Sequence, residues 1–251
     1  LGGGAVLGAA HLGVLQALEA RGLRPEFVAG TSAGALVGAG YAVGLELDAI
    51  EALMLETRWT DVGRLTLDPR LGVLDSRALE HTAARIGLDR RIEELPVRFA
   101  AVATDLIALK EVAVTSGPLV RALRASIAIP GLFPPVIDHG RILIDGGLVA
   151  NLPIAAVRDL GARWVIAVRV RPEWEYLPIA PTADRIARLE AEPNTIVIRP
   201  DVAGLSMWRT ADVPRLIEAG RNAAETALGG LHDFEALGQE AIAARLPECA
   251  G

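Results

Sequence analysis

The chain has 251 residues, a length that fits one large α/β domain with a substantial buried core. Its formal net charge of −6 argues against a nucleic-acid-binding protein, because phosphate contacts require a concentrated basic surface. Hydrophobic residues make up 51% of the chain but aromatic residues only 4%, a composition typical of parallel strands covered by helices on both faces. We therefore predict an α/β fold, a single three-layer domain over residues 1–251 with a mostly parallel central sheet.

The cysteine content and the hydropathy pattern indicate in which cellular compartment the protein is expected. The single cysteine, Cys249, excludes an internal disulfide and CxxC-type metal sites, so no metal is expected. Charged residues interrupt every apolar run before it reaches the roughly 18 residues of a transmembrane segment, so none is predicted. We expect a cytoplasmic protein that is at most peripheral at a membrane. Because the sequence begins at Leu1 rather than Met, an export signal further upstream is not excluded.

A glycine-rich segment opens the chain. Residues 1–8 read LGGGAVLG and lead into a helix with leucines on one face, which is predicted to stop at Gly22. Such a turn presents backbone N–H groups at the positive end of a helix, which suits a phosphate or a developing oxyanion. His11 lies in the first turn of this helix, where we favour a packing role over a catalytic one.

The next strand ends in the pattern of a nucleophile elbow. Residues 27–34 read FVAGTSAG, an apolar run that ends in G-x-S-x-G and continues into a small-residue helix over residues 33–43. A strand, a tight turn and a helix in this order present a serine hydroxyl on strained backbone. Ser32 is therefore the candidate nucleophile, flanked by Gly30 and Gly34. The alternative is a glycine-rich turn that only packs a helix tightly against a sheet.

Helices and strands alternate through the middle of the chain. The predicted helices cover residues 47–57, 75–86 and 118–125, and the predicted strands cover residues 97–104 and 111–115. Residues 58–73 show no clear periodicity. Asp105 ends the first of these strands, and we favour a turn-forming role for it over a second catalytic carboxylate.

Two later segments complete the candidate site. Residues 126–135 read SIAIPGLFPP, which suits neither a regular helix nor a central strand, so we expect an ordered loop that lines an acyl pocket or covers the core. Residues 141–144 form a short strand that runs into Asp145, Gly146 and Gly147, which places a carboxylate where α/β sheets gather functional groups. From these residues alone, an aspartate that merely starts a glycine turn is favoured.

The C-terminal third continues the same alternation without further catalytic signals. Its predicted helices cover residues 154–160, 183–192, 213–228 and 234–246, its predicted strands cover residues 164–170 and 195–198, and residues 172–181 are irregular.

Together these motifs resemble the patatin-like phospholipase family in order and in spacing. The resemblance covers residues 2–170 and rests on the glycine-rich opening, the G-x-S-x-G elbow, the stretch over residues 125–135, and the sequence DGG followed by NLP at residues 151–153. It implies a patatin-like fold and a serine acyl hydrolase that cleaves carboxylic esters of lipids, of the phospholipase A or lysophospholipase type. It implies no cofactor, and a lipid ester substrate met at a membrane surface.

The resemblance also implies roles for individual residues. Ser32 would be the nucleophile and Asp145 its proton acceptor, with the backbone amides around Gly2, Gly3 and Gly4 as the oxyanion hole. Burial is expected to raise the pKa of Asp145 above the value of about 3.9 for free aspartate, which makes it a better base. No catalytic histidine is expected. Many members of the family carry Arg or Lys where this chain has Leu7, so no charged side chain from this position is expected to assist at the oxyanion.

Two other functions remain open. A catalytically silent scaffold would keep the fold for lipid or protein binding, and the presence of both Ser32 and Asp145 counts against it. A dinucleotide-binding protein would use residues 2–8 as its phosphate turn. That function requires an acidic residue about twenty positions further on, where this chain has the elbow instead.

Overall fold

A computed structural model describes residues 1–56, 64–65, 74–75, 77–170 and 182–229. The predicted helix over residues 234–246, most of residues 58–73, the irregular segment over residues 172–181 and residue 76 of the predicted helix over residues 75–86 lie outside these ranges. Within the described ranges, no helix combines the length and the apolar character that crossing a membrane requires.

The helices and strands follow the predicted alternation to within a few residues. The helices are α1 (Ala10–Ala20), α2 (Ala33–Ala42), α3 (Leu47–Glu56), α4 (Arg77–Arg85), α5 (Leu119–Ser126), α6 (Ile154–Asp159), α7 (Thr182–Glu190) and α8 (Val213–Gly229). The strands are β1 (Phe27–Thr31), β2 (Arg64–Leu65), β3 (Leu74–Asp75), β4 (Arg98–Asp105), β5 (Lys110–Val114), β6 (Val136–Asp138), β7 (Arg141–Asp145), β8 (Val165–Val168) and β9 (Thr195–Ile198). Short 3₁₀ turns at Ala5–Ala9 and Gly146–Leu148 flank the candidate site. The short strands β2, β3 and β6 were not predicted.

Helices cover both faces of the central sheet, as predicted. Side chains of β4 alternate between the two faces, because successive residues of a strand point in opposite directions. Phe99 and Ala101 pack with α2 and α5, whereas Ala100 and Val102 pack with Ala156 of α6. Beside this core, α1 and α8 pack against each other over a second group of buried residues that includes Leu12 and Leu216.

The central sheet is mixed, so the prediction of a mostly parallel sheet is wrong. β1 pairs with β4 in parallel, and β8 pairs with β9 in parallel. The β4–β5, β4–β7 and β6–β7 pairs are antiparallel. For the β4–β5 and β6–β7 pairs the physical reason is connection length: the segments at residues 106–109 and 139–140 are too short for a parallel crossover and permit only hairpins.

The first residues of the chain link the two parallel pairs. The Thr31 amide donates a hydrogen bond to the Leu1 carbonyl, and the Gly2 amide donates one to the Val168 carbonyl. Residues 1–2 therefore lie between β1 and β8, and they bring β8 and β9 alongside the central sheet. The same contacts hold the glycine-rich turn against the end of β1.

Candidate active site

The strands β1 and β7 meet end to end beside β4. β5 pairs with residues 101–105 of β4, so β1 at residues 98–102 and β7 at residues 103–105 must share its other side. Thr31 lies opposite Val102, and Asp145 lies opposite the next residue, Ala103. Because both strands end at this junction, Ser32 and Asp145 leave the sheet at the same point.

The elbow holds Ser32 in a strained backbone conformation. Ser32 has φ 53° and ψ −120°, in the region that non-glycine residues rarely occupy. Its side chain is largely buried, with 8% of its surface exposed. This geometry agrees with the predicted elbow, in which strain lifts the serine out of the strand before α2 begins.

The glycines around the site are required by close approach rather than by positive φ. A Cβ atom on Gly30 would lie 2.3 Å from the Gly34 carbonyl oxygen, and one on Gly34 would lie 2.3 Å from the Leu1 carbonyl oxygen. A Cβ atom on Gly146 would lie 2.4 Å from the Val102 carbonyl oxygen. Larger residues at these positions would push apart the segments that carry Ser32 and Asp145.

Ser126 anchors the backbone of the elbow, a role that the sequence did not reveal. Its Oγ accepts a hydrogen bond of 2.8 Å from the Ser32 amide and donates one of 2.6 Å to the Val102 carbonyl. Ser126 is fully buried at the end of α5. This one hydroxyl ties the strained residue to β4, and it also occupies the Ser32 N–H. In the sequence, only the position of Ser126 at the start of the 126–135 stretch pointed to this role.

Asp145 combines one satisfied and one open carboxylate oxygen. Oδ1 accepts a hydrogen bond of 2.7 Å from the Gly147 amide. Oδ2 is buried and receives no hydrogen bond of regular geometry from any residue that the structure describes. The Ser32 hydroxyl lies near this carboxyl group, because β1 and β7 end at the same junction, and it lowers the Asp145 pKa relative to the effect of burial alone. The second oxygen is therefore available to a proton donor at the junction.

Burial raises the pKa of Asp145 to about 6 from its ordinary value of 3.8. The charged form loses solvation there, which favours the protonated acid. Hydrogen bonding from the Ser32 hydroxyl and from the Gly147 amide opposes this rise, because each donor stabilises the carboxylate. The predicted increase in basicity is confirmed in direction.

In the part of the chain that the structure describes, the glycine-rich turn leaves free only one of the three amides predicted for the oxyanion hole, that of Gly4. The Gly2 amide donates to the Val168 carbonyl and the Gly3 amide donates to the Asn151 carbonyl, each at 3.0 Å, so neither is free to bind an oxyanion. The amides of Gly4 and Ala5 donate to no acceptor within the described ranges. Ala5 has φ 49°, which adds a second strained residue beside Ser32.

His11 supports the glycine-rich turn, in agreement with the predicted packing role. Its Nε2 lies 2.7 Å from the Gly2 carbonyl oxygen. A carbonyl can only accept, so Nε2 carries the proton and donates it. Burial lowers the pKa of His11 to about 3, so the ring is neutral at physiological pH. Asp105 instead accepts hydrogen bonds from the Ile107 and Ala108 amides, the turn-forming role favoured for it.

An apolar cavity of about 240 Å³ opens beside Ser32. It lies between the first 3₁₀ turn, α2, α3 and the loop that follows α5. Its lining includes Val6, Leu36, Ile50, Met54, Ile129 and Phe133. The loop over residues 126–135 thus lines the cavity at the candidate nucleophile, one of the two roles expected for it.

Sequence comparisons find a matching family and similar proteins. A family model described as Patatin-like phospholipase matches residues 1–158. An uncharacterized NTE family protein of Mycobacterium tuberculosis is 42% identical over 171 residues, which cover 67% of this chain and 47% of that protein. Patatin-like phospholipase domain-containing protein 6 of Homo sapiens is 35% identical over 179 residues, covering 68% of this chain and 13% of that protein. Lysophospholipase NTE1 of Yarrowia lipolytica is 35% identical over 175 residues. The chain thus spans about half the length of the mycobacterial relative and a far smaller part of the others.

Comparison with solved structures supports the fold. VipD from Legionella pneumophila superposes with a TM-score of 0.51 over 92% of this chain and 66% of that chain, at 14% sequence identity. At this identity the similarity shows the fold alone. The family model matches more than half of the sequence, including the elbow, the Asp145 turn and the glycine-rich opening. On these grounds the chain belongs to the patatin-like phospholipase family.

Proposed function

We propose that this chain is a serine hydrolase that cleaves carboxylic esters of lipids, of the phospholipase A or lysophospholipase type. The observation that carries the proposal is the junction of β1 and β7, where the strained Ser32 and the buried Asp145 leave the sheet together. Family membership supports the same class of reaction, because the family description and the names of relatives refer to phospholipases.

In the proposed acylation step, Asp145 accepts the Ser32 proton while Oγ attacks the ester carbonyl carbon. A carboxylate with a pKa near 6 is a stronger base than free aspartate, and its acid can still protonate the leaving alkoxide. The carbonyl double bond re-forms, the alcohol departs with that proton, and an acyl-serine remains. Asp145 then accepts a proton from water as the water oxygen attacks the acyl carbon. The bond between the acyl carbon and Ser32 Oγ breaks, Asp145 returns the proton to Oγ, and the fatty acid leaves.

The developing oxyanion requires donors that are free when the substrate arrives. We assign this role to the Gly4 and Ala5 amides and to the Ala33 amide, at the start of α2 next to Ser32. The Ala33 amide donates to no acceptor in the described part of the chain. A Cβ atom on Gly8 would lie 2.5 Å from the Ala33 Cβ, so the first 3₁₀ turn and the start of α2 are close together. Fixed N–H dipoles at such a point stabilise negative charge without reorganising.

The cavity beside Ser32 supports this substrate class. Its walls are almost entirely apolar. A bound acyl chain would be stabilised there, because binding removes the apolar surface of both the chain and the walls from water. The ester carbonyl would then lie at the mouth of the cavity, next to Ser32 and the free amides. An acyl ester therefore fits this site better than a polar metabolite.

Fluorophosphonate labelling with intact-mass measurement tests the proposal. We expect one adduct on the wild-type chain, none on Ser32→Ala, and one on the control Ser116→Ala, which alters an exposed serine. A panel of lysophospholipids, phospholipids and simple esters then identifies the substrate. A folded wild-type chain that takes no adduct and hydrolyses none of these esters would contradict the proposal and favour a catalytically silent lipid-binding scaffold.

A further inference from the structure

Two hairpin turns, at residues 106–109 (the first tip) and 139–140 (the second tip), project from the same end of the central sheet. β4 ends at Asp105, and the turn over residues 106–109 leads into β5. β7 runs antiparallel to β4, so the turn over residues 139–140 between β6 and β7 emerges at the same end of the sheet. Arg141 lies four residues before Asp145 on β7, about 13 Å away along the strand. The two tips are therefore close to the candidate site.

The first tip exposes large apolar side chains. Ile107 is 76% exposed, and its neighbours Leu106 and Leu109 are 40% and 44% exposed. Four-residue hairpin turns usually carry Gly, Asn or Asp, which are polar or tolerate positive φ. Here Leu109 has φ 49°, a conformation that costs a leucine more than a glycine. An exposed, strained apolar turn has no evident value for folding, and this points to a surface that it contacts.

The second tip extends the same apolar surface. Ile137 on β6 is 59% exposed and lies directly opposite Ile142 on β7. The Leu106 amide donates a hydrogen bond to the Ile142 carbonyl, which places Leu106 beside Ile142 on the other side of β7. The β4–β7 register, continued one residue past Asp105, puts Leu106 opposite Ile142. Residues opposite each other in antiparallel strands point to the same face, so these three side chains form a row across β6, β7 and the first tip.

Around the tips, Lys110 and Arg141 have no described ion-pair partner, whereas the carboxylates of Glu111 and Asp138 do. The Asp105 carboxylate accepts the Ile107 and Ala108 amides, and the Glu111 carboxylate pairs with the Arg185 guanidinium. The Asp138 carboxylate pairs with Arg121 at 3.1 Å and lies 2.9 Å from a ring nitrogen of His139.

In contrast, Lys110 and Arg141 make no ion pair with any described residue, and Lys110 directly follows the first tip. Asp105 has no described ion-pair partner either and lies opposite Lys110, so the unpaired charges here, two positive and one negative, sum to about +1, although the whole chain is acidic.

We propose that the hairpin tips at residues 106–109 and 139–140 dock the protein on a phospholipid bilayer. Leu106, Ile107 and Leu109 enter the boundary between headgroups and acyl chains, while Lys110 and Arg141 contact lipid phosphates. This combination of protruding apolar side chains with flanking free cations is the chemistry of interfacial membrane binding. The inference rests on the proposed function, because it supplies the surface on which the hydrolase meets its substrate.

Vesicle binding by the complete chain tests the proposal without depending on catalysis. The Ser32→Ala background prevents hydrolysis of the vesicle lipid, and flotation with phosphatidylcholine vesicles measures the bound fraction. We expect Ile107→Ser to weaken partitioning by about tenfold to a hundredfold, the effect of withdrawing one large apolar side chain. The matched control is Leu55→Ser, which alters a 53% exposed leucine on α3, away from both tips. It should bind as the parent does.

Mixed vesicles test the cations separately. We expect Lys110→Gln to weaken binding to an equimolar mixture of phosphatidylcholine and phosphatidylglycerol, and added salt to reduce that difference. Equal binding of Ile107→Ser and its parent, or no binding to either vesicle, would overturn the proposal. So would loss of a dimer, seen by size-exclusion chromatography, as the sole effect of Ile107→Ser. Hydrolysis of a water-soluble short-chain ester by the wild-type chain tests the proposed function independently, so the two failures are distinguishable.

Discussion

Replacing Asp145 with asparagine should stabilise the fold at neutral pH while abolishing hydrolysis. The pKa of Asp145 is about 6 in the folded chain against an ordinary value of 3.8. Because the folded value is the higher one, folding favours the protonated acid. The corresponding stabilisation is fully present below pH 3.8 and is lost as pH rises to about 6. Above that pH, the folded state carries a cost of about 3 kcal/mol that asparagine does not have.

The structure also indicates that asparagine fits the site. Its Oδ1 can still accept the hydrogen bond from the Gly147 amide, and its amide nitrogen replaces an oxygen that lacks a regular partner. Asparagine cannot accept the Ser32 proton, so ester hydrolysis should fall to background. Loss of activity together with gain of stability would separate the chemical role of this carboxylate from any structural role.

Urea unfolding of Asp145→Asn and wild type at pH 5 and pH 8 measures this effect. The stability advantage of the variant should grow between these two values by roughly half of the total, about 1.5 kcal/mol. The control Asp159→Asn, an exposed aspartate at the end of α6, should show no such growth. A variant whose stability follows the wild type in parallel from pH 5 to pH 8 would refute the reasoning.

Three further outcomes are expected. In wild type, kcat/KM for a water-soluble ester should rise with pH and level off above about 6, because the base must be ionised; a flat profile would contradict this. Ser126→Ala should lower kcat more than KM changes and should cost about 1–3 kcal/mol of stability, because it frees two buried backbone groups. Gly220→Ala should destabilise by about 2 kcal/mol or more in thermal unfolding, since its Cβ would lie 1.9 Å from an α1 carbonyl oxygen. Gly229→Ala, where a Cβ meets no described atom within 4 Å, is its control.

Much of the architecture could be predicted because it is encoded locally. Apolar periodicity predicts helices and strands, and glycines mark where they end, so the strand that precedes Ser32 and the strand that ends at Asp145 were both anticipated. The resemblance of the motifs to the patatin-like phospholipase family, in order and in spacing, made Ser32 and Asp145 the candidate pair. Strand direction was predicted incorrectly, because hydrophobic composition does not distinguish a buried antiparallel hairpin from a parallel strand.

The sequence by itself determined which residues carry the candidate chemistry, and only the tertiary structure decided which of their partners are free. The glycine-rich opening predicts a set of donors, but packing against β8 and Asn151 occupies the Gly2 and Gly3 amides and leaves those of Gly4 and Ala5. Ser126 anchors Ser32 across 94 residues of sequence. Hydrogen-bond partners and burial depend on segments that are distant in the chain, so no local pattern can reveal them.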